Sequence, residues 1–175
     1  MRTPRHYSYR VDHDRGFAPH VARGLCTVCG CKMSTIEKWA EAGSWVVGIG
    51  GNGTGKPNAP IYAMKVEKTP SFAEFKKTHP LRASYLSSSG IPPDAPVLAS
   101  THFYYFGDQA RALPAALSRI IHPTEGCKRL SDEDVLLLNE LVLGHYRCGK
   151  HGNPNNPPKS PCASVGASIR RDRCR

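Results

Sequence analysis

Two apolar runs, Ser44-Trp45-Val46-Val47-Gly48-Ile49 and Ile61-Tyr62-Ala63-Met64-Lys65-Val66, are joined by the glycine-rich stretch Gly50–Pro60. Short runs of β-branched and aromatic residues bounded by Gly and Pro read as buried-type strands, here paired as a hairpin with a long loop. The rest of the chain is arranged around this unit. Tyr7–Val11 alternates aromatic or apolar with polar residues and predicts a first strand, and Val97–Ser100 and His102–Phe106 predict two more. Helices are expected over Ser34–Glu41, with Ser34 and Glu37 in capping-box register and Gly43 closing the helix, and over Pro70–Phe75, Leu113–Ile121 and Ser131–Leu143. The last of these pairs a Ser131/Asp134 cap with an apolar face of Val135, Leu138, Leu141 and Val142. Asp12–Arg23, Cys26–Cys31 and residues 77–96 read as loops or turns. Strands mixed with short helices predict an α+β domain around a small, curved, mainly antiparallel sheet.

A chain of 175 residues fits one domain. The pattern fails after about Gly149, so the division expected is a domain over residues 1–154 and a basic, disordered tail over 155–175. The longest apolar runs, Trp45–Val47 and Val135–Leu138, fall far short of the roughly 20 residues that cross a bilayer. The N-terminus shows no apolar signal-peptide core, so the expectation is a cytoplasmic protein without a membrane partner. With 24 Lys and Arg against 14 Asp and Glu, the formal charge of +10 favours a polyanionic partner, nucleic acid or a nucleotide. Seven cysteines, an odd number, point to free thiols, a metal site or a reactive thiol rather than a disulfide framework.

Four motifs carry chemistry. Gly50-x-x-x-x-Gly55-Lys56 follows a strand as a phosphate loop would, but Pro57 occupies the Ser/Thr position and a strand follows instead of a helix. A flexible, mildly basic hairpin loop that can lie against a phosphate backbone is a better reading, and a plain mobile loop is better still. Cys26-x-x-Cys29-x-Cys31 offers thiolates from one tight turn, and Cys148-x-x-His151 offers a second half at zinc-ligand spacing. A Cys3His zinc site and a set of thiols that never share a metal both remain open; Cys127, Cys162 and Cys174 look incidental. His13-Asp14 places an imidazole beside a carboxylate, a pair suited to acid–base work. His102-Phe103-Tyr104-Tyr105-Phe106-Gly107 sets rings on alternate faces of a strand, so that one pair enters the core and the other can stack on a base.

The order of these segments has a further meaning. Tyr7-Ser8-Tyr9, His13-Asp14-x-Gly16-Phe17-Ala18-Pro19, Cys26-Thr27 with Cys31-Lys32, Gly43–Gly50, Ile61–Val66, Phe103–Gly107 and the closing Gly149–Pro154 together resemble the nucleotide modification associated domain 2 family. Its members are small proteins of bacteria and their viruses, linked to making or handling modified DNA bases. The resemblance implies a role near nucleotide modification without supplying a reaction. On the matched positions it places a site at His13, Asp14, Cys26, Cys31, Lys32, Tyr104, Tyr105 and His151. Cys29 and Cys148 fall outside the pattern, which weakens the zinc reading. A fainter likeness to PUA-like and EVE domains over Gly43–Val66 implies, as an alternative fold, a small β-barrel with flanking helices.

Two functions from different classes follow. In the first, the protein is an enzyme or accessory of base or nucleotide modification, with Cys26 or Cys31 as nucleophile or metal ligand and His13 with Asp14 as the acid–base pair. Lys32 would lower the thiol pKa. In the second, it is a reader that binds a modified base through Tyr104 and Tyr105, with Lys65 and the basic tail on phosphates and His151 and Asn153 in a polar turn.

Overall fold

The computed structural model describes residues 3–30, 36–87, 90–124 and 126–157. Among them nine strands form: β1 (His6–Val11), β2 (His20–Ala22), β3 (Leu25–Val28), β4 (Trp45–Gly50), β5 (Pro60–Lys65), β6 (Leu98–Ser100), β7 (Phe103–Tyr105), β8 (Cys127–Leu130) and β9 (Gly149–Lys150). Four α-helices accompany them: α1 (Ile36–Trp39), α2 (Phe72–Thr78), α3 (Pro80–Ser87) and α4 (Asp132–Leu141). The main sheet has six strands in the order β8-β1-β4-β5-β7-β9, and a second sheet has the order β2-β3-β6.

The expected hairpin is the centre of the main sheet. β4 and β5 pair antiparallel from Trp45↔Lys65 to Gly48↔Tyr62, with an irregularity at Gly48/Ile49. Most neighbours are antiparallel, but β1 runs parallel to β4 and β9 parallel to β7. The sheet is open, ending at β8 and β9, so the barrel implied by the PUA/EVE likeness does not form. Both edges carry exposed cations, Lys128 and Arg129 on one and Lys150 on the other, a composition that discourages edge-to-edge pairing.

The period-2 geometry of strands gives each face of the sheet its own task. Register places Tyr9, Gly48, Tyr62 and Tyr105 in one cross-strand row. A Cβ on Gly48 would sit 2.4 Å from the Tyr62 ring, so only glycine lets that ring lie across β4. There the Tyr62 hydroxyl meets the Tyr9 hydroxyl at 2.7 Å. On the other face Ser8 donates to the Ile120 carbonyl at 2.6 Å. That bond ties down a 3-10 helix over Ala115–Ile120, and beside it α4 buries Val135 and Leu138.

Helix caps follow the sequence closely. Ser131 and Asp134 form a full capping box on α4, and Ser71 and Glu74 do the same on α2, each cap contributing about 1 kcal/mol. Other elements differ from expectation. Leu113–Ile121 holds the 3-10 helix rather than an α-helix. Residues 77–96 contain α3, started by Pro80 at a position where its missing N–H costs nothing. The expected loop before Cys26 is a second hairpin, β2–β3, turned by Arg23 and Gly24 at φ 46 and 70. That geometry is the one Asn-Gly usually signals, and arginine in the first position conceals it. α2 and α3 cover a smaller second core of Cys29, Phe72, Phe75, Ala83 and Val97.

Candidate functional site

β1 is parallel to β4, β9 is parallel to β7, and β4 and β7 are both antiparallel to β5. These four strands therefore end on the same side of the sheet. The segments that leave them, Asp12–Gly16, Gly51–Gly55, Phe106–Gln109 and His151–Asn156, converge there.

Asp14 is the hub. Its side chain is fully buried. Oδ2 accepts the Tyr105 hydroxyl at 2.7 Å and both the backbone N–H and the side-chain amide of Asn155 at 3.1 Å. Its backbone exchanges bonds with Asn156: the Asp14 N–H donates to Asn156 Oδ1 at 3.0 Å, and the Asn156 N–H donates to the Asp14 carbonyl at 2.8 Å. Oδ1 is buried and has no hydrogen-bond partner among the described residues. A buried carboxylate oxygen without a donor is costly, and native structures seldom leave one so.

The other segments fit tightly around this hub. The Asp108 N–H donates to the Asn153 carbonyl at 2.8 Å, and the Asn153 N–H donates back to Asp108 Oδ1 at 2.9 Å. That backbone donor, with Lys56 acting more weakly, holds the Asp108 carboxyl below the usual carboxylate range. A Cβ on Gly152 would lie 1.9 Å from the Phe106 carbonyl, and one on Gly107 would lie 2.1 Å from the Asn153 carbonyl, so the approach needs two glycines. The Asn52–Thr54 turn joins through Asn156, whose amide donates to the Gly53 carbonyl at 3.0 Å.

His13 and Asp14 reach this end of the sheet together but do not form a pair. Asp14 points inward, whereas His13 is exposed, with its ring against the Cα of Gly53. Tyr105, His151 and Asn153 belong to the same end. The His151 N–H donates to the Tyr105 carbonyl at 2.8 Å, and its ring stacks on Phe106 at 5.5 Å. Lys65 lies at the far end, where it acts electrostatically on His6. Cys31 and Lys32 lie outside the described residues, as does everything beyond Pro157.

Three expectations take a different form in the structure. Cys26 is not on a surface turn: it sits in β3, has no exposure, and burial pushes its thiol well above the ordinary range. Such a thiol is an inert core residue rather than an activated nucleophile. Tyr104 and Tyr105 do not form a stacking platform, being 8% and 1% exposed. Burial, then contact with Cys148, pushes Tyr104 up to about 12. Burial, then Asp14, pushes Tyr105 still higher. The cysteine turn of the zinc motif is also divided: Cys26 lies in the main core and Cys29 in the second one, while Cys148 is exposed and Cys31 lies outside the described residues. Among the described residues no three His, Cys, Asp or Glu side chains converge as metal ligands.

Asn155 and Asn156 went unrecognised in the sequence because they fall in the stretch assigned to the tail. The contacts of the fold run past the expected boundary at 154. The signal available was a pair of asparagines just after Gly152-Asn153-Pro154, residue types that turn the chain and bond to nearby backbone.

The fold and these contacts define an open-sheet α+β domain whose buried carboxylate is ringed by amides at the strand ends. The model of the nucleotide modification associated domain 2 family matches residues 3–89, which supports the likeness to that family. The match takes in β1 to α3 and so covers Asp14 and the Gly51–Gly55 turn; the Phe103–Gly107 and Gly149–Pro154 segments lie beyond it. No curated protein and no solved structure matches the chain significantly. No helix among the described residues is long and apolar enough to cross a membrane.

Proposed function

We propose that this protein acts on or handles a base or nucleotide in nucleotide modification, at the strand-end site built around Asp14. The observation that carries the reading is the buried Asp14 carboxylate, with one oxygen held by Tyr105 and Asn155 and the other without a donor. A carboxylate is an acceptor only, and it matches the amino and ring N–H groups on the edge of a nucleobase. Such a group would supply the donor that Oδ1 lacks, entering as the Asn52–Gly55 turn or the Asn155–Asn156 strap moves aside. The family's association with nucleotide modification agrees with this chemistry. His13, exposed beside Gly53, would exchange a proton with a bound base. Buried Cys26 takes no part.

The test is to incubate the purified protein with canonical and modified nucleosides, nucleotides and oligonucleotides, following binding by calorimetry and products by mass spectrometry. A product lost in His13→Ala identifies catalysis. Binding without turnover, weakened at least about tenfold in Asp14→Asn, identifies a non-catalytic reader at the same site. No interaction with any of these ligands refutes the proposal.

A further inference from the structure

The segment from His145 to His151 does nothing in the reading above except deliver His151. His145, Tyr146, Arg147 and Lys150 are all exposed on it, and Tyr146 is one of the few large rings left open, at 40%. The ring is nevertheless fixed: it meets Phe106 edge-on at 4.9 Å and His151 at 5.2 Å. The segment is fastened to the sheet through the His151 N–H on the Tyr105 carbonyl and through His151 Nε2, which bonds the Arg147 carbonyl at 2.7 Å. No Asp or Glu occurs in the sequence between Glu140 and Asp172, and the segment itself carries the exposed cations Arg147 and Lys150.

An open ring held at its edges and followed by two exposed cations, Arg147 in the segment before β9 and Lys150 on that edge strand, is what a nucleic-acid strand engages: phosphates on the cations, a base on the ring. Lys150 is three residues from Asn153, at most about 11 Å along the chain, so a strand lying here runs beside the His151–Asn156 segment whose Asn155 bonds Asp14. We infer that the His145–His151 edge is a single-strand nucleic-acid contact, and that the natural ligand of the strand-end site is a base within a polynucleotide rather than a free nucleotide. This inference rests on the proposed function and narrows its substrate class.

The experiment uses the full chain and a fluorescein-labelled oligothymidylate of about 16 nucleotides, with anisotropy read across a salt series. Arg147→Ala with Lys150→Ala leaves the carbonyl that holds His151 in place. It is expected to weaken binding by about tenfold and to reduce the slope of log K against log salt by about 1.4, two phosphates at 0.7 each. Tyr146→Ala is expected to lose at least about fivefold, and Tyr146→Phe to restore it. Lys128→Ala with Arg129→Ala removes the same charge from the opposite edge and is expected to change little. An equal loss in that control means diffuse charge and overturns the inference, as does polyglutamate competing as well as unlabelled oligonucleotide. Absence of strand binding while free nucleotides are still bound or converted overturns this inference and leaves the proposed function standing.

Discussion

The Tyr105 hydroxyl donates to Asp14 Oδ2 at 2.7 Å across 91 residues of sequence. It fastens the end of β7 to the loop that leaves β1. Both groups are buried, so the bond is made away from competing water, and the phenol stays protonated because burial and the neighbouring carboxylate each raise its pKa.

Replacing Tyr105 with Phe keeps the ring and removes the donor. Asp14 retains both N–H groups of Asn155, so the fold should survive, with a loss of about 1–3 kcal/mol in urea unfolding, the cost of depriving a buried acceptor of one partner. The strand-end site should loosen as well, read as faster amide exchange at Asn155 and Asn156. Unchanged stability in Tyr105→Phe would contradict this account of the hub.

Gly152→Ala tests the other side of the site. The new methyl would meet the Phe106 carbonyl, which is backbone and cannot swing away. The His151–Asn156 strap must shift, at a cost of about 1–3 kcal/mol for overpacking. The expected result is a lower thermal midpoint together with loss of amide-exchange protection at Asp108 and Asn153. An alanine variant as stable as the parent would mean that this close approach does not hold in solution.

Thiol chemistry separates the cysteines. Cys148 is exposed, whereas Cys26 and Cys29 are buried, and Cys26 is further disfavoured as a thiolate. Iodoacetamide on the native protein, mapped by peptide mass spectrometry, should modify Cys148 well before either of the others. Cys26 should label only under unfolding conditions. Rapid labelling of Cys26 in the native state would restore it as a candidate nucleophile.

What could be read from the sequence divides along physical lines. The β4–β5 hairpin and the α4 cap are local: composition over a dozen residues, or a Ser three positions before an Asp, specifies them. His13-Asp14 was visible as a polar pair, but neighbouring residues on an extended segment point apart, so Asp14 went into the core and His13 to the surface. The ring run His102–Phe106 was visible as well. Its burial was not, because that depends on the strand order, which sets β7 between β5 and β9 inside the main sheet. The contact between Asn155 and Asp14 spans 141 residues, and no periodicity reports on it. The α3 helix was hidden by the Ser, Gly and Pro residues that follow it.

Acid should destabilise the fold in two separate ranges, the upper one set by histidine. His6 Nδ1 accepts the Trp45 N–H at 3.0 Å, which requires an unprotonated nitrogen, while Nε2 faces Asp132 at 3.2 Å. Burial lowers the His6 pKa below 6.5 and outweighs the opposing pull of Asp132. Burial, then Arg82, lowers that of His20 as well. Between these folded values and the unfolded value near 6.5, the unfolded chain binds protons that the folded chain refuses, so stability rises with pH. This contribution is fully present above about pH 6.5 and is lost as pH falls through 6.5 toward the folded values. Carboxyls already held low, such as Asp108, act only below about pH 4. Unfolding free energy measured in urea from pH 7.5 to 3 should therefore fall below about pH 6.5, with a slope of at most one proton for each of the two histidines. His6→Gln, which cannot titrate, should remove about half of that slope and leave the fall below pH 4 in place. A profile that is flat from pH 6.5 to 5, or a slope that His6→Gln does not reduce, would show that His6 is not held neutral by the start of β4.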